Sequence, residues 1–303
     1  MLTVGDLRYH TSGESFDVLR CAHCEILVTT KDSDFFDPVA SYPADYGAFV
    51  TKAPRPRRLQ RLRIAERLRS LTRPTYVASD RLAWTRKLDL KAGDRVLDIG
   101  CGTGETGELL SRLTGCQVVG VEPNPQAAQI ARDRGQEVHQ GTLESFDDTV
   151  SFEAEPFEVV LLIHVLEHLT NPLASLRRIH GWLQPTGRLV IALPNAGSWE
   201  RRIFGPHWDG WDIPCHVHHF NPPSLRYLLR AAGFAVEDFS YEWYSLFSRS
   251  LANRLHPQLP VSERARKYRV PLLEAGWGLA QSVLRRSSAL QVIAIKNPEN
   301  DDT

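Results

Sequence analysis

A glycine-rich turn between a predicted strand and a predicted helix constrains the fold more than any other feature of this sequence. Residues 96–107 read VLDIGCGTGETG. At such a turn, free backbone N–H groups of the helix N-terminus face a ligand. Downstream, continuous apolar strands alternate with helical patterns as far as RLVIALP, residues 188–194. This alternation predicts an α/β fold in which helices cover both faces of a parallel sheet.

The glycines of this turn fit two patterns that imply different cofactors. Starting at Gly102, they spell the Gly-x-Gly-x-x-Gly pattern of domains that bind nicotinamide dinucleotides. Starting at Asp98, they spell Asp-x-Gly-x-Gly-x-Gly, which is typical of domains that bind S-adenosylmethionine (SAM). The predicted strand ends before Gly100 and leaves Gly107 inside the helix, which favours the second pattern. Glu122, about 20 residues further on, could bind the ribose hydroxyls of either cofactor.

Two longer segments carry a family resemblance. Residues 157–195 resemble the second half of a class I methyltransferase, including Leu166-Glu167-His168 and the Gly187 turn into the fifth strand. Residues 199–237 are similar to a bacterial methyltransferase family with a truncated zinc-ribbon-like N-terminus. That family is related to the ubiquinone-biosynthesis O-methyltransferases, and its members often modify sugars, glycan precursors or natural products. The resemblance implies a Rossmann-like class I methyltransferase fold: a mostly parallel seven-stranded sheet with an antiparallel last strand, plus a small N-terminal module.

The same resemblance implies a binding site for SAM. The three glycines of the turn would let the backbone approach the methionine part, and Asp98 would orient its amino end. Glu122 would bind the ribose hydroxyls. Two residues after the third strand would lie along the adenine, although the family often has an acid where this chain has Thr142. The implied cofactor residues are Asp98, Gly100, Cys101, Gly102, Gly104, Glu122, Thr142, Leu143, Ile163 and His164.

A histidine-rich loop is the predicted acceptor site. Methyl transfer to a hydroxyl benefits from a general base, typically by about 10²- to 10⁴-fold, and histidine is the natural candidate near neutral pH. His216 and His219 match the family's P-x-H-x-x-H-F stretch, so the resemblance implies that one of them takes the proton; alternatively, one only shapes the loop. The predicted substrate contacts are Trp208, Trp211 and His168, although loop tryptophans that simply pack are at least as common.

Two motifs suggest metals. His164-x-x-Glu167-His168 spells an inverted zinc-peptidase motif, but it straddles a strand end and not the middle of a helix. Ubiquinone-type relatives carry metal-binding side chains in this segment. We nevertheless expect no metal, with Glu167 and His168 packing beside the cofactor cleft. Cys21-x-x-Cys24 is half of the four-ligand set that a structural zinc needs, and only His10 or His23 could add ligands, so we expect no zinc there.

The charge distribution indicates which kinds of partner the chain could bind. The chain has 36 basic and 36 acidic residues, but residues 51–73 contain nine basic residues and one acid. No aromatic residues interleave with this charge, so the sequence makes no strong case for nucleic acid. Arginines also suit a phosphate-bearing acceptor. The acceptor is therefore predicted to be a small molecule or glycan-type compound. The apolar segment 270–284 suits either a membrane surface or a partner subunit.

We expect three regions: an N-terminal β module (1–50), a basic helical segment that covers the cleft (51–90), and the SAM-binding domain (91–303) with a helical insertion at about 244–288. The N-terminus lacks a signal-like apolar run, and five cysteines do not suggest a disulfide framework, so we expect a cytoplasmic location. The predicted function is O-methylation of a sugar, glycan precursor or secondary metabolite. The alternatives are a non-catalytic partner subunit of the same fold and a methyltransferase of RNA or protein.

Overall fold

The computed structural model describes residues 2–7, 14–31, 84–145, 155–242, 245–259, 263, 267–268 and 271–297. The basic segment 51–73 lies outside these residues. The strands are β1 (Leu2–Gly5), β2 (Ser15–Arg20), β3 (Leu27–Thr30), β4 (Arg95–Ile99), β5 (Gln117–Glu122), β6 (Glu137–Gln140), β7 (Phe157–Ile163), β8 (Leu183–Pro194), β9 (His218–His219), β10 (Phe234–Tyr241) and β11 (Ala289–Lys296). The helices are α1 (Thr85–Leu88), α2 (Glu105–Thr114), α3 (Pro125–Asp133), α4 (Pro172–Trp182), α5 (Trp199–Phe204), α6 (Pro222–Ala231), α7 (Phe247–Leu255) and α8 (Pro271–Val283).

The larger sheet has seven strands in the order β10-β11-β8-β7-β4-β5-β6. β11 runs antiparallel to both of its neighbours, β8 and β10, whereas the pairs formed by β4, β5, β6, β7 and β8 are parallel. In the middle of the sheet, Leu97 of β4 lies opposite Val119 of β5 and Val160 of β7. The predicted mostly parallel sheet with an antiparallel last strand is therefore confirmed.

Helices bury both faces of this sheet, which explains why its strands are apolar without alternation. On one face, Leu176 of α4 and Leu229 of α6 join a core cluster with Phe157 of β7. On the other face, Trp84 and Leu110 pack against Val96, Val159 and Val190. Asparagine side chains cap the N-termini of three helices by accepting backbone N–H groups, and a proline follows each of them: Asn124 caps α3, Asn171 caps α4 and Asn221 caps α6.

A smaller antiparallel sheet joins the N-terminus to the loop that follows α5. Its order is β1-β2-β3-β9, so β9 pairs with β3 although the two are far apart in sequence. In this pairing Leu27 lies opposite His219 and Val28 opposite His218. The apolar face of the small sheet packs on the loop in a third core cluster that includes Val4, Phe16, Val18, Trp208 and Trp211. The predicted domain boundaries remain predictions.

Membrane contact was one interpretation of segment 270–284. Among the helices of the described residues, none combines the length and the apolar character needed to cross a bilayer.

Candidate functional site

The turn between β4 and α2 adopts a conformation that requires glycine. Gly100, Gly102 and Gly104 have φ values of +71°, +55° and +77°. These values lie in the left-handed region, which residues other than glycine rarely adopt. A Cβ atom at Gly100 would lie 2.5 Å from Cγ2 of Val165, and one at Gly104 would lie 2.9 Å from the Cβ of Ala131. The turn therefore packs closely against Val165 and Ala131, and a larger residue at Gly100 or Gly104 would not fit there.

Glu122, the last residue of β5, fastens this turn to the next strand. Its Oε2 atom accepts the backbone N–H of Gly102 at 2.8 Å, and its Oε1 atom accepts that of Asn124 at 2.8 Å. The side chain is 2% exposed. Burial raises the pKa of this carboxyl, although the two backbone hydrogen bonds oppose the shift. Within the described residues, each Glu122 oxygen accepts one hydrogen bond, which leaves a second lone pair on each oxygen beside the glycine backbone.

Asp98 is a second buried carboxyl in the same place. It is 2% exposed, and among the described residues its Oδ2 atom has no hydrogen-bond partner. Burial, and secondly the neighbouring Glu122, raise its pKa to about 7. A buried carboxylate beside another carboxylate is stabilised by a cation. This part of the site therefore favours a ligand that carries a positive charge.

The other predicted cofactor residues surround this turn. Cys101 is buried, and burial raises the pKa of its thiol. Leu143 is 3% exposed, whereas Thr142 forms a local turn in which its backbone N–H donates to Oγ of Ser145 at 2.9 Å. Ile163 ends β7, and His164 follows it with a φ of +57°. The structure thus brings these residues to the carboxyl ends of neighbouring parallel strands, where ligands of such sheets bind.

A buried glutamate organises the histidines next to this edge. Glu167 lies in a short 3₁₀ turn, Leu166–His168, and is 1% exposed. Nδ1 of His164 donates to its Oε1 atom at 3.3 Å. Burial opposes ionisation of Glu167, but the hydrogen bond from His164 and the nearby imidazoles outweigh burial and lower its pKa to about 2. Glu167 is therefore an ionised carboxylate near neutral pH.

His168 and His216 lie beside this carboxylate. Nδ1 of His168 donates to the carbonyl of Cys215 at 2.8 Å, and Nδ1 of His216 donates to that of Gly210 at 3.3 Å. Because each Nδ1 carries the proton, each Nε2 carries a lone pair in the neutral ring. The two ring centroids are 4.6 Å apart. Burial, and secondly His216, lower the pKa of His168 to about 4, so this ring is neutral near pH 7.

His216 lies between two carboxylates. Its Nε2 atom is 3.6 Å from Oδ2 of Asp212 and 3.9 Å from Oε1 of Glu167. All three side chains are buried. One ligand atom from each of Glu167, His168 and His216 lies within 4.8 Å of the others, close enough to hold a divalent cation. The cluster can thus accept either a proton or a cation at Nε2 of His216; our expectation of no metal stays a prediction.

The remaining loop side chains contact the protein itself. His219 is 4% exposed, and its Nε2 atom lies 2.7 Å from the hydroxyl of Thr29. Trp208 and Trp211 are 1% and 2% exposed, and their rings pack edge-to-face at 5.4 Å. Nε1 of Trp211 donates to the carbonyl of Gly205 at 2.9 Å. The small N-terminal sheet covers both indoles, and the acceptor contacts that we expected from them stay predictions.

Comparison with known proteins identifies the family. A family model described as a methyltransferase domain matches residues 68–238. The chain belongs to this methyltransferase family. The match includes the glycine turn, Glu122 and the histidine cluster.

Curated relatives of this methyltransferase share its central part. The ubiquinone biosynthesis O-methyltransferase of Xanthomonas axonopodis pv. citri (strain 306) is 31% identical over 159 residues, which cover 49% of this chain and 66% of that protein. A protein of the same name from Xanthomonas oryzae pv. oryzae (strain PXO99A) is 31% identical over 163 residues, 51% of this chain and 67% of that protein. The methyltransferase therefore matches about half of its own length to these relatives and spans about two thirds of theirs.

Among solved structures, mycolic acid cyclopropane synthase CmaA1 complexed with SAH and CTAB is similar in fold. It covers 71% of this methyltransferase and 82% of its own chain, with a TM-score of 0.51 and 21% sequence identity. At this identity the likeness concerns the fold alone.

The site of the methyltransferase fits its cofactor, SAM. The left-handed glycine backbone, the remaining lone pairs of Glu122 and the buried Oδ2 atom of Asp98 match a ligand with ribose hydroxyls and an ammonium group. When bound, SAM supplies a sulfonium-activated methyl group. The class of fold and the cofactor that the sequence predicted are thereby confirmed.

Sequence reasoning gave no catalytic role to Glu167 or Asp212. Both carboxylates face His216, but they come from different segments, and only the fold places them together. One signal was available: Asp212 precedes His216 by four residues in a loop already rich in histidine.

Proposed function

We propose that this methyltransferase transfers the methyl group of SAM to a hydroxyl oxygen of a small molecule. The domain family supports methyl transfer, and the names of the curated relatives support oxygen as the acceptor atom. The cluster around His216 supports the same chemistry, since a hydroxyl has to lose a proton as the new bond forms.

The observation that carries the proposal is the position of His216 between Asp212 and Glu167. With its Nδ1 proton donated to the carbonyl of Gly210, the ring can take a proton only at Nε2. The imidazolium so formed lies 3.6 Å and 3.9 Å from two carboxylate oxygens. Such preorganised charge stabilises the protonated ring in a water-poor site. His216 is therefore our proposed proton acceptor, and Asp212 and Glu167 are positioning residues.

His219 is the second candidate from sequence. Its Nε2 atom already contacts the hydroxyl of Thr29, and burial lowers the pKa of the ring well below its ordinary value. A ring with these contacts suits a role in holding the loop. We therefore propose His216 before His219.

The rest of the domain would hold the reactants. We propose that Asp98 and Glu122 bind the cofactor's ammonium and ribose groups, with the remaining predicted cofactor residues around them. Because the methyl group arrives activated, the protein mainly has to align it with the acceptor oxygen and exclude water; such alignment is worth at most about 7 to 11 kcal/mol.

Two classes of acceptor are consistent with the chain. The relatives' names point to a phenolic hydroxyl of a quinone precursor. The resemblance of residues 199–237 to methyltransferases of sugars and natural products points to the hydroxyl of a sugar or secondary metabolite, and the basic segment 51–73 suits a phosphate on it. The two classes share the hydroxyl and differ in its acidity.

The test is transfer of labelled methyl groups from SAM to panels of polyphenols, sugar nucleotides and free sugars. We expect an O-methylated product, and we expect His216→Ala to lower turnover by about 10²-fold or more while cofactor affinity stays nearly unchanged. His216→Gln keeps polar contacts but cannot carry the proton away, so it should be similarly slow. His180→Ala, which removes a ring that packs on Phe234 at 5.2 Å, is the control for general destabilisation. Near-normal turnover of His216→Ala would exclude it as the base.

A further inference from the structure

The turn that joins β2 to β3 carries two accessible thiols. Cys21 is exposed and Cys24 is half-buried, whereas Cys101, Cys116 and Cys215 are buried. Two backbone hydrogen bonds fix the turn: the N–H of Cys21 donates to the carbonyl of Ile26 at 2.9 Å, and that of Glu25 donates to the carbonyl of Cys21 at 3.0 Å. The two thiols are therefore held on one short, rigid turn at the surface.

The two sulfur atoms differ in their surroundings. Cys21 is exposed where the turn begins, and Cys24 is half-buried where it ends. The N–H group of Cys24, followed by that of His23, lowers the pKa of the Cys21 thiol, whereas burial raises that of Cys24. Because the thiolate is the nucleophile in exchange reactions, Cys21 is the thiol that reacts first.

We propose that Cys21 and Cys24 are a redox modification site, in which they form a reversible disulfide by exchange with a low-molecular-weight disulfide. The Cys21 thiolate attacks one sulfur of the small disulfide, which forms a mixed disulfide and releases one small thiolate. Cys24 loses its proton to solvent and attacks the Cys21 sulfur, which releases the second small thiolate. Two protein thiols are oxidised and one small disulfide is reduced to two thiols, so atoms and electrons balance.

The alternative occupant of a Cys-x-x-Cys turn is zinc, which needs four ligands in a structural site. Two described side chains of the turn are engaged elsewhere. The ring of His23 packs edge-on against Tyr227 of α6 with a centroid distance of 5.4 Å, and the carboxylate of Glu25 pairs with Arg20. Within the described ranges, the cluster of potential metal ligands is Glu167, His168 and His216, away from this turn. The thiol pair therefore suits exchange better than metal binding.

The turn lies directly before the strand that pairs with the histidine loop. β3 begins three residues after Cys24 and pairs with β9, so Leu27 lies opposite His219 and Val28 opposite His218. A change in the turn thus acts at the start of the strand that supports the histidine loop.

The test uses the full-length, reduced and metal-free protein with hydroxyethyl disulfide as the oxidant. We expect native wild-type protein to lose two hydrogen atoms in intact mass, with the new disulfide mapped to Cys21 and Cys24 and reversed by dithiothreitol. Cys24→Ser should stop at a single hydroxyethylthiol adduct on Cys21. Cys21→Ser should react about tenfold more slowly than Cys24→Ser. Cys116→Ser, which removes a buried thiol, is the matched control and should behave like wild type.

Two results would overturn the proposal. One is stable adducts on both cysteines of the wild-type protein without ring closure. The other is protein that, before metal removal, holds one equivalent of zinc which protects both thiols and is lost in Cys21→Ser.

Discussion

The hydroxyl of Thr29 lies 2.7 Å from Nε2 of His219 and joins the N-terminal sheet to the histidine loop. The backbone supports the same junction, because the N–H of Thr29 donates to the carbonyl of Val217 at 2.8 Å. Thr29 is fully buried and His219 is 4% exposed. Strand β3 is therefore part of the structure that holds the proposed acceptor site, although it lies outside the matched methyltransferase domain.

Thr29→Val tests this junction. Valine has nearly the same shape but leaves the buried Nε2 atom of His219 without its hydrogen bond. We expect the free energy of unfolding to fall by about 1–3 kcal/mol, as measured by urea denaturation. Thr3→Val is the control: its hydroxyl donates to Asp17 at an exposed site, so its loss should cost much less. Equal effects of the two changes would show that the contact with His219 does not stabilise the loop.

Glu200→Gln tests a second buried connection. The Glu200 carboxylate is fully buried and accepts hydrogen bonds from the backbone N–H of Leu246 and from the side chains of Ser245, Trp277, Gln281 and Ser288. An amide replaces one acceptor oxygen by a donor that faces other donors. We expect the free energy of unfolding, measured by urea denaturation, to fall by about 2–4 kcal/mol. Glu237→Gln, at a partly exposed ion pair with Arg188, should lose no more than about 1 kcal/mol.

The seven-stranded sheet could be predicted because its signals are local. The glycine turn after β4 needs a left-handed backbone at Gly100, and the neighbouring residues of the same short segment are enough to predict it. Apolar runs such as those of β7 and β8 report burial on both faces in the same way. Each of these features needs only a few consecutive residues to be recognised.

The histidine site could be predicted only in part, because its contacts are not local. Thr29 and His219 are 190 residues apart, and β9 has two residues, too few for a strand pattern. The pairing of β3 with β9 also explains why Trp208 and Trp211 are buried. Their chemistry suits a ring-stacking surface, but the apolar face of the N-terminal sheet covers them. The residue types of the loop predicted a functional site there, but the tertiary pairing determines which of its side chains are buried.

The pKa of Asp98 predicts a pH dependence of cofactor binding. In the free protein this pKa is raised to about 7, so the carboxyl is largely protonated below that pH. A bound cation favours the ionised form, so binding should release a proton and SAM affinity should rise as pH increases from about 6 to 8. Calorimetry in buffers of different ionisation enthalpy measures the released proton. Asp98→Asn should abolish this proton release, and proton release that persists in the variant would assign it to another group.

The pKa of His218 predicts a loss of stability in mild acid. Burial lowers its pKa to about 4 in the folded protein, below the ordinary value of 6.5. The unfolded chain therefore binds more protons as pH falls from about 6.5 to about 4, and stability is lost in this window. At pH 5 this ring alone should cost about 2 kcal/mol relative to pH 7. For His218→Gln, the slope of the free energy of unfolding against pH should be smaller, by an amount that corresponds to at most one bound proton. An unchanged slope would contradict the assignment.

Added zinc distinguishes the two uses of the cluster around His216. A proton and a divalent cation compete for the same Nε2 lone pair, next to Glu167 and His168. If His216 is the base, the metal-free protein is active and zinc inhibits methyl transfer reversibly, with activity restored by a chelator. Calorimetry should show about one bound zinc, weakened about 10- to 100-fold in Glu167→Gln. His139→Ala removes a histidine that pairs with Glu137 on β6 and should leave zinc binding unchanged. The opposite outcome, activity lost on chelation and restored by a divalent cation, would make the cluster a metal centre and His216 a ligand in place of a base.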